Sequence, residues 1–157
     1  MSLTRIIQPI FASRRRALDK YQTQAEQLQM QVLHRLVNKA KDTEWGRNHG
    51  FASVSSYEDF AKTSDVNTYE ELKLAIDRMR QGESDILWPG KVRWYAKSSG
   101  TTNDKSKFIP VSKDGLKDTH YAGGRDAVTW YLRNNPQSRI FDGKALILGG
   151  SHVPNYN

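Results

Sequence analysis

Residues 97–107 read Lys-Ser-Ser-Gly-Thr-Thr-Asn-Asp-Lys-Ser-Lys. Four hydroxyl side chains, Ser98, Ser99, Thr101 and Thr102, surround Gly100, and Lys105 and Lys107 follow. Hydroxyls and backbone amides donate hydrogen bonds to an anion. A glycine lets the chain approach closely and take up positive φ, and a lysine adds counter-charge. The chemistry open to such a tip is to hold a phosphate. It is not a Walker A loop, because Asp104 stands where that motif has glycine, and a strand rather than a helix follows Lys105-Ser106. The dinucleotide fingerprint fails too, since Gly100 lacks glycine partners at the needed spacing. On residue types alone, a polar hairpin loop explains the same composition, because Ser, Thr, Gly, Asn and Asp gather in turns.

Two apolar runs of strand character must position the loop, Val92-Arg93-Trp94-Tyr95-Ala96 before it and Phe108-Ile109-Pro110-Val111 after it. Upstream, residues 14–41 are expected to form one long helix. Leu18, Tyr21, Ala25, Leu28, Val32, Leu36 and Ala40 recur along it at three- and four-residue steps as the buried face. Residues 1–12, with Pro9 between Ile6-Ile7 and Ile10-Phe11, read as an N-terminal segment that docks on the body. Gly46 and Gly50 end the long helix, with loop between them. Ser55 with Glu58, and Thr68 with Glu71, match the capping box and so start two further helices. The second should bury Leu72, Ala75, Ile76 and Met79 and stop near Gly82, after which Trp88-Pro89-Gly90 turns into the hairpin. Beyond the return strand, Ser112 is the expected N-cap of a helix over about 113–133, with Leu116, Thr119, Ala122, Ala127, Tyr131 and Leu132 on its buried side. Gly123-Gly124 in its middle costs about 1 kcal/mol per residue against alanine, which points to a close approach or a kink. Asn134-Asn135-Pro136 ends it. Ala145-Leu146-Ile147-Leu148 reads as a strand buried on both faces, with Gly149-Gly150-Ser151 at the end where α/β proteins place ligands.

Composition narrows the function classes. The chain has no cysteine, which excludes disulfides, thiolate catalysis and cysteine zinc sites and fits a reducing compartment. No apolar run approaches the ~18 residues needed to cross a membrane. Net charge is +7, and residues 1–50 hold nine Lys/Arg against four Asp/Glu. A basic helix of that kind can touch nucleic acid or acidic lipid, but no reading motif accompanies it, and a solvated face is the simpler account. The histidines, His34, His49, His120 and His152, show no metal spacing and no hydrolase order. His34 is expected in a helix facing solvent, and His120 as a half-buried structural residue beside Tyr121.

The order of residues goes further than their types. Ser98-Ser99-Gly100-Thr101-Thr102 closed by Lys107 resembles the phosphate-binding motif of adenylate-forming enzymes, in the form found in the GH3 family of acyl-acid amido synthetases. Asp42-Thr43-Glu44-Trp45-Gly46-Arg47-Asn48-His49-Gly50-Phe51 is similar to an early stretch of that family. Gly82-Glu83 with Leu87-Trp88-Pro89-Gly90 is similar to its approach to the loop. The likeness spans roughly residues 28 to 150. Asn103-Asp104 departs from it, standing where many members carry glycine, and Asp104 should point outward or towards a lysine.

The resemblance implies an α/β fold, the N-terminal part of one large adenylating domain. Residues 1–82 would be helical and 88–151 would carry hairpin, helix and strand, with the C-terminal lid outside the chain. It implies activation of a carboxylic acid by ATP to an acyl-adenylate, then amide formation with an amino acid. Lys107 would be the catalytic cation, with Lys105 its competitor, and Ser98, Ser99, Gly100, Thr101 and Thr102 would hold the ATP phosphates. Mg2+ would take its ligands from later sequence. Arg125 and Tyr121, on the following helix, would meet the acid, although an ion pair of Arg125 with Asp118 or Asp126 is the simpler expectation. Nucleic acid and membrane are not expected partners, and the cytoplasm is the expected location. The alternatives are a non-catalytic domain that binds nucleotide or a partner through the same loop, and a basic nucleic-acid module.

Overall fold

The computed structural model describes residues 2–63, 65–98, 106–144 and 146. They are mostly helical, with one two-stranded antiparallel sheet. Contacts divide the chain into two units, Met1–Leu18 with Arg125–Asn157, and Asp19–Gly124.

In the first unit, α1 (Leu3–Asp19) carries Pro9 inside it, and α7 (Ala122–Asn134) supplies buried Thr129 and Leu132. The start of α1 is held by a distant carboxylate. Asp142 accepts from the Thr4 amide (2.9 Å), the Thr4 hydroxyl (3.0 Å), the Ser2 hydroxyl (3.1 Å) and Arg139 Nε (2.8 Å). An amide at a helix start has no partner within its own helix, so the Asp142 carboxylate does the work of a cap. Thr4 is fully buried, its hydroxyl also accepts from the Phe141 amide (3.0 Å), and Phe11 stacks on Phe141.

The second unit holds the hairpin. The long helix expected over 14–41 is two helices. α1 stops at Asp19, Lys20–Gln22 form a 3-10 turn, and α2 (Ala25–Ala40) follows. Between Leu18 and Leu28 only Tyr21 and Ala25 are apolar, and both are exposed. With nothing there to bury, packing does not favour a continuous helix across the break. The buried stripe of α2 is also rotated from the expected one. Val37 and Ala40 are buried and Leu33 packs on them, while Val32 and Leu36 are about 40% exposed.

Gly46 lies in a short helix, α3 (Glu44–Asn48), rather than in a loop. Buried Thr43 caps it, accepting from the Gly46 amide at 3.0 Å. The amides of Glu44 and Trp45 donate to the carbonyls of Asp85 (2.8 Å) and Ile86 (3.0 Å), so a distant loop satisfies the helix start. Arg78 makes a bidentate pair with Glu44 and also reaches Glu83. A Cβ on Gly46 would overlap the Ala40 carbonyl oxygen and lie 2.9 Å from Lys41 Cα, so glycine is needed for this close approach.

The capping boxes divide. Thr68 and Glu71 form theirs at the start of α5 (Tyr69–Arg80), as expected. At α4 (Tyr57–Thr63) the box is displaced by one residue. Ser56 accepts from the Asp59 amide and Asp59 from the Ser56 amide, so Ser55 and Glu58 do not pair in this way. α5 buries Ile76 and Met79, part-buries Leu72 and Ala75, and ends at Arg80, two residues before Gly82 at φ +105°.

The second unit holds two core clusters, Val37–Ala40–Phe51 and Met79–Ile86–Val92. Each fully buried aliphatic side chain stabilises by roughly 1.5–3 kcal/mol. The second cluster carries Tyr95 of β1 (Trp94–Lys97), which pairs antiparallel with β2 (Phe108–Val111) in the register Trp94 to Val111 and Lys97 to Phe108. β1 thus begins two residues later than expected.

Ser112 caps the next helix through the Gly115 amide (2.9 Å), as expected. The helix is not uniform: α6 (Lys113–Gly115) passes into a π segment, Leu116–Tyr121, and then into α7. Gly123 and Gly124 have nothing within 4 Å of a built Cβ, so no close approach explains them. They lie one residue beyond the π segment, where the helical ladder changes spacing. Of the expected face, Leu132 is buried while Ala127 and Tyr131 are exposed. The strand expected at Ala145-Leu146-Ile147-Leu148 lies outside the described residues except for Leu146, which is 88% exposed.

Candidate functional site

The hairpin register continues one pair past the strands. The Ser98 amide donates to the Lys107 carbonyl (2.9 Å), and the Lys107 amide donates to Ser98 Oγ (3.1 Å). Ser98 and Lys107 therefore stand opposite one another at the base of the loop. The Ser98 hydroxyl accepts one bond there and keeps its own proton to donate. Ser99, Gly100, Thr101, Thr102 and Lys105, together with Asn103-Asp104, lie outside the described residues.

Helix α5 fixes the base of the loop. The Phe108 amide donates to the Tyr69 hydroxyl (3.0 Å), and Lys107 Nζ sits 5.3 Å from the centre of the Tyr69 ring. The Arg80 guanidinium lies 3.7 Å from the centre of the Phe108 ring. The face of an aromatic ring carries negative charge density, so both cations are held by attraction as well as by packing. Burial pushes the Tyr95 phenol up, against the opposing influence of Arg80. Tyr69, Arg80 and Phe108 carry no motif that marks them as site residues in the sequence. The capping box does put Tyr69 at the first position of α5, but a contact across 39 residues leaves no local pattern.

Beside the helix that follows β2 lies an open groove of about 350 Å³, walled by Val32, Leu36 and Trp88 and floored by Asp114. Its charges are paired. Asp114 accepts from Lys39 (2.7 Å) and from Trp88 Nε1 (3.0 Å), which hold its carboxyl below the usual range, and Asp118 accepts from Arg35.

Tyr121, the last residue of the π segment, is exposed, with the centre of the His120 ring 5.3 Å from its own in an edge-on arrangement. Arg125 pairs with Asp126 at 3.7 Å, the simpler of its two expected roles. Asp126 is bound more tightly by Arg14, through two contacts of 2.7 Å. His34 is exposed and meets the Ser55 carbonyl at 2.8 Å, and His120 is exposed rather than half-buried. Among the described residues no three His, Asp or Glu side chains converge as metal ligands, and no helix is long and apolar enough to cross a membrane. The Mg2+ implied with ATP therefore has no fitting ligand set among them.

A family profile described as the GH3 family N-terminal domain matches residues 14–153. Among curated proteins, the chain is similar to the indole-3-acetic acid-amido synthetase GH3.6 of Arabidopsis thaliana, 28% identical over 60% of this chain and 16% of that protein. It is 31% identical to the GH3.15 synthetase of the same plant, over 64% of this chain and 17% of the relative. The jasmonoyl-L-amino acid synthetase JAR4 of Nicotiana attenuata is 24% identical over 78% of this chain and 21% of the relative. The aligned part of this chain thus corresponds to about a fifth or less of each relative's length.

Proposed function

The chain belongs to the GH3 family, and from that premise we propose that the full-length protein uses ATP to activate a carboxylic acid and joins it to an amino acid. A carboxylate oxygen attacks the α-phosphorus, pyrophosphate leaves, and the amine then attacks the acyl carbon of the adenylate and releases AMP. The acids named for the relatives, indole-3-acetic and jasmonic, point to a small organic acid.

The observation that carries this reading is the placement of Ser98 and Lys107 as a hydrogen-bonded pair at the base of the glycine-containing loop, in a chain of this family. The electrostatic problem of the first step is the charge on the departing phosphates. Donors and a cation fixed beforehand lower that barrier without forming a covalent bond. In this reading Ser98 donates its free proton, Ser99, Thr101 and Thr102 add hydroxyls, Gly100 adds its amide, and Lys107 or Lys105 supplies charge. The acid lies beside the following helix, where Arg125 exchanges its long contact with Asp126 for the substrate carboxylate and Tyr121 packs on it. A cytoplasmic location belongs to the same proposal.

The test is acid-dependent exchange between labelled pyrophosphate and ATP in the full-length protein across a panel of small acids. Exchange with at least one acid is expected, falling at least tenfold in Lys107→Ala. Tight binding of an ATP analogue with no exchange for any acid would instead establish a nucleotide-binding module without turnover.

A further inference from the structure

We propose that Tyr69 is a positioning residue for Lys107, holding its ammonium at the base of the loop from the first turn of α5. The inference rests on the phosphate-binding reading and names a residue outside the loop that the site depends on. Three contacts converge. The Tyr69 hydroxyl accepts the Phe108 amide at 3.0 Å, which fixes the backbone immediately after Lys107. The Tyr69 ring lies under Lys107 Nζ at 5.3 Å. At the other end of α5, Arg80 lies over the Phe108 ring at 3.7 Å, so the helix grips the return strand through both its ends.

The backbone at Tyr69 is set by a capping box. Tyr69 follows Thr68, whose hydroxyl accepts from the Glu71 amide while the Glu71 carboxylate accepts from the Thr68 amide (2.6 Å) and hydroxyl (2.8 Å). Lys107 is exposed, and a lysine in water samples many rotamers. A ring face beneath the ammonium narrows that sampling yet leaves its three protons free for an anion, since cation–π attraction uses none of them. The ring thus confines the cation near the loop without neutralising it, as a carboxylate partner would.

The experiment uses the full-length protein and four variants: Tyr69→Phe, Tyr69→Leu, Lys107→Ala and the Tyr69→Leu/Lys107→Ala double variant. The Lys107 ε-methylene resonance is expected upfield in the parent and in Tyr69→Phe, and at its ordinary position in Tyr69→Leu. Affinity for a non-hydrolysable ATP analogue should fall about 2- to 5-fold in Tyr69→Leu. It should fall no further when the same change is made in Lys107→Ala, because Tyr69 acts through that lysine. An undiminished effect of Tyr69→Leu in the Lys107→Ala background would show a merely structural role and overturn the inference. An unshifted resonance in the parent overturns it as well. Should Tyr69→Leu not fold, Tyr69→Phe decides through the resonance and through the Phe108 amide, which should exchange faster with solvent. If Lys107→Ala itself leaves affinity unchanged, the phosphate-binding reading falls and takes this inference with it. A loss in Lys107→Ala with none in Tyr69→Leu removes the inference alone.

Discussion

At the scale of single residues, Gly46 leaves no room for a side chain and Asp142 gathers four hydrogen bonds. Gly46→Ala drives a methyl group into the Ala40 carbonyl, backbone against backbone, where no side chain can yield. Destabilisation of at least ~2 kcal/mol is expected from chemical denaturation, at the upper end of overpacking effects. Asp142 receives hydrogen bonds from the Thr4 amide, Arg139 and Ser2, which hold its carboxyl well below the usual carboxylate range. A depressed folded-state pKa contributes stability that is present above the ordinary value of about 3.9 and is lost as pH falls towards the folded value. Thermal midpoints of the parent should therefore drop steeply below about pH 4, and those of Asp142→Asn should start lower at neutral pH and change less across that window. Parallel curves for the two proteins would contradict the assigned role. The role of Asp142 leaves no local pattern in the sequence, because Thr4, the residue it caps, lies 138 positions away.

At the scale of elements, α5 is the support on which the hairpin rests, and its parts separate by mutation. Thr68→Ala removes the hydroxyl of the capping box and is expected to lower stability by about 1 kcal/mol in denaturant titrations. Met79 is 2% exposed and packs with Ile86 and Val92 under Tyr95, so Met79→Ala should lower stability by about 2–5 kcal/mol. Arg80→Ala removes the cation over Phe108, and its effect should be local. Amide exchange across Lys97–Phe108 should quicken while α2 is unaffected. Uniformly faster exchange throughout α2 and the hairpin would show that Arg80 supports the whole unit instead. The Thr68–Glu71 box, the Ser112 cap and the return strand were legible beforehand, because each is a pattern within four residues. The displaced box at Ser56–Asp59 was not, because Ser55 and Ser56 both fit a spacing rule and only the backbone selects between them.

For the whole molecule, family and extent decide what to expect of activity. The aligned part corresponds to about a fifth or less of each relative's length. The 157 residues alone are therefore expected to give no amide product, while the full-length protein gives product that depends on acid, amine and ATP. Product from the 157-residue chain would show that the reaction needs nothing beyond these elements. Arg14 and Arg35 are engaged by Asp126 and Asp118, and Lys39 by Asp114, so part of the basic charge within residues 1–50 meets internal acids.

The amino-acid order by itself determined the family, the hairpin with its loop between strand-like runs, and the start of α5. These depend on short patterns whose physical meaning survives without a fold. The tertiary structure alone decided the rotation of the buried stripe from Val32–Leu36 to Leu33–Val37 and the seating of Lys107 on Tyr69. Each of these follows from what a residue meets across dozens of positions. Apolar periodicity says that a helix has a face to bury, but the surface it meets selects among neighbouring faces.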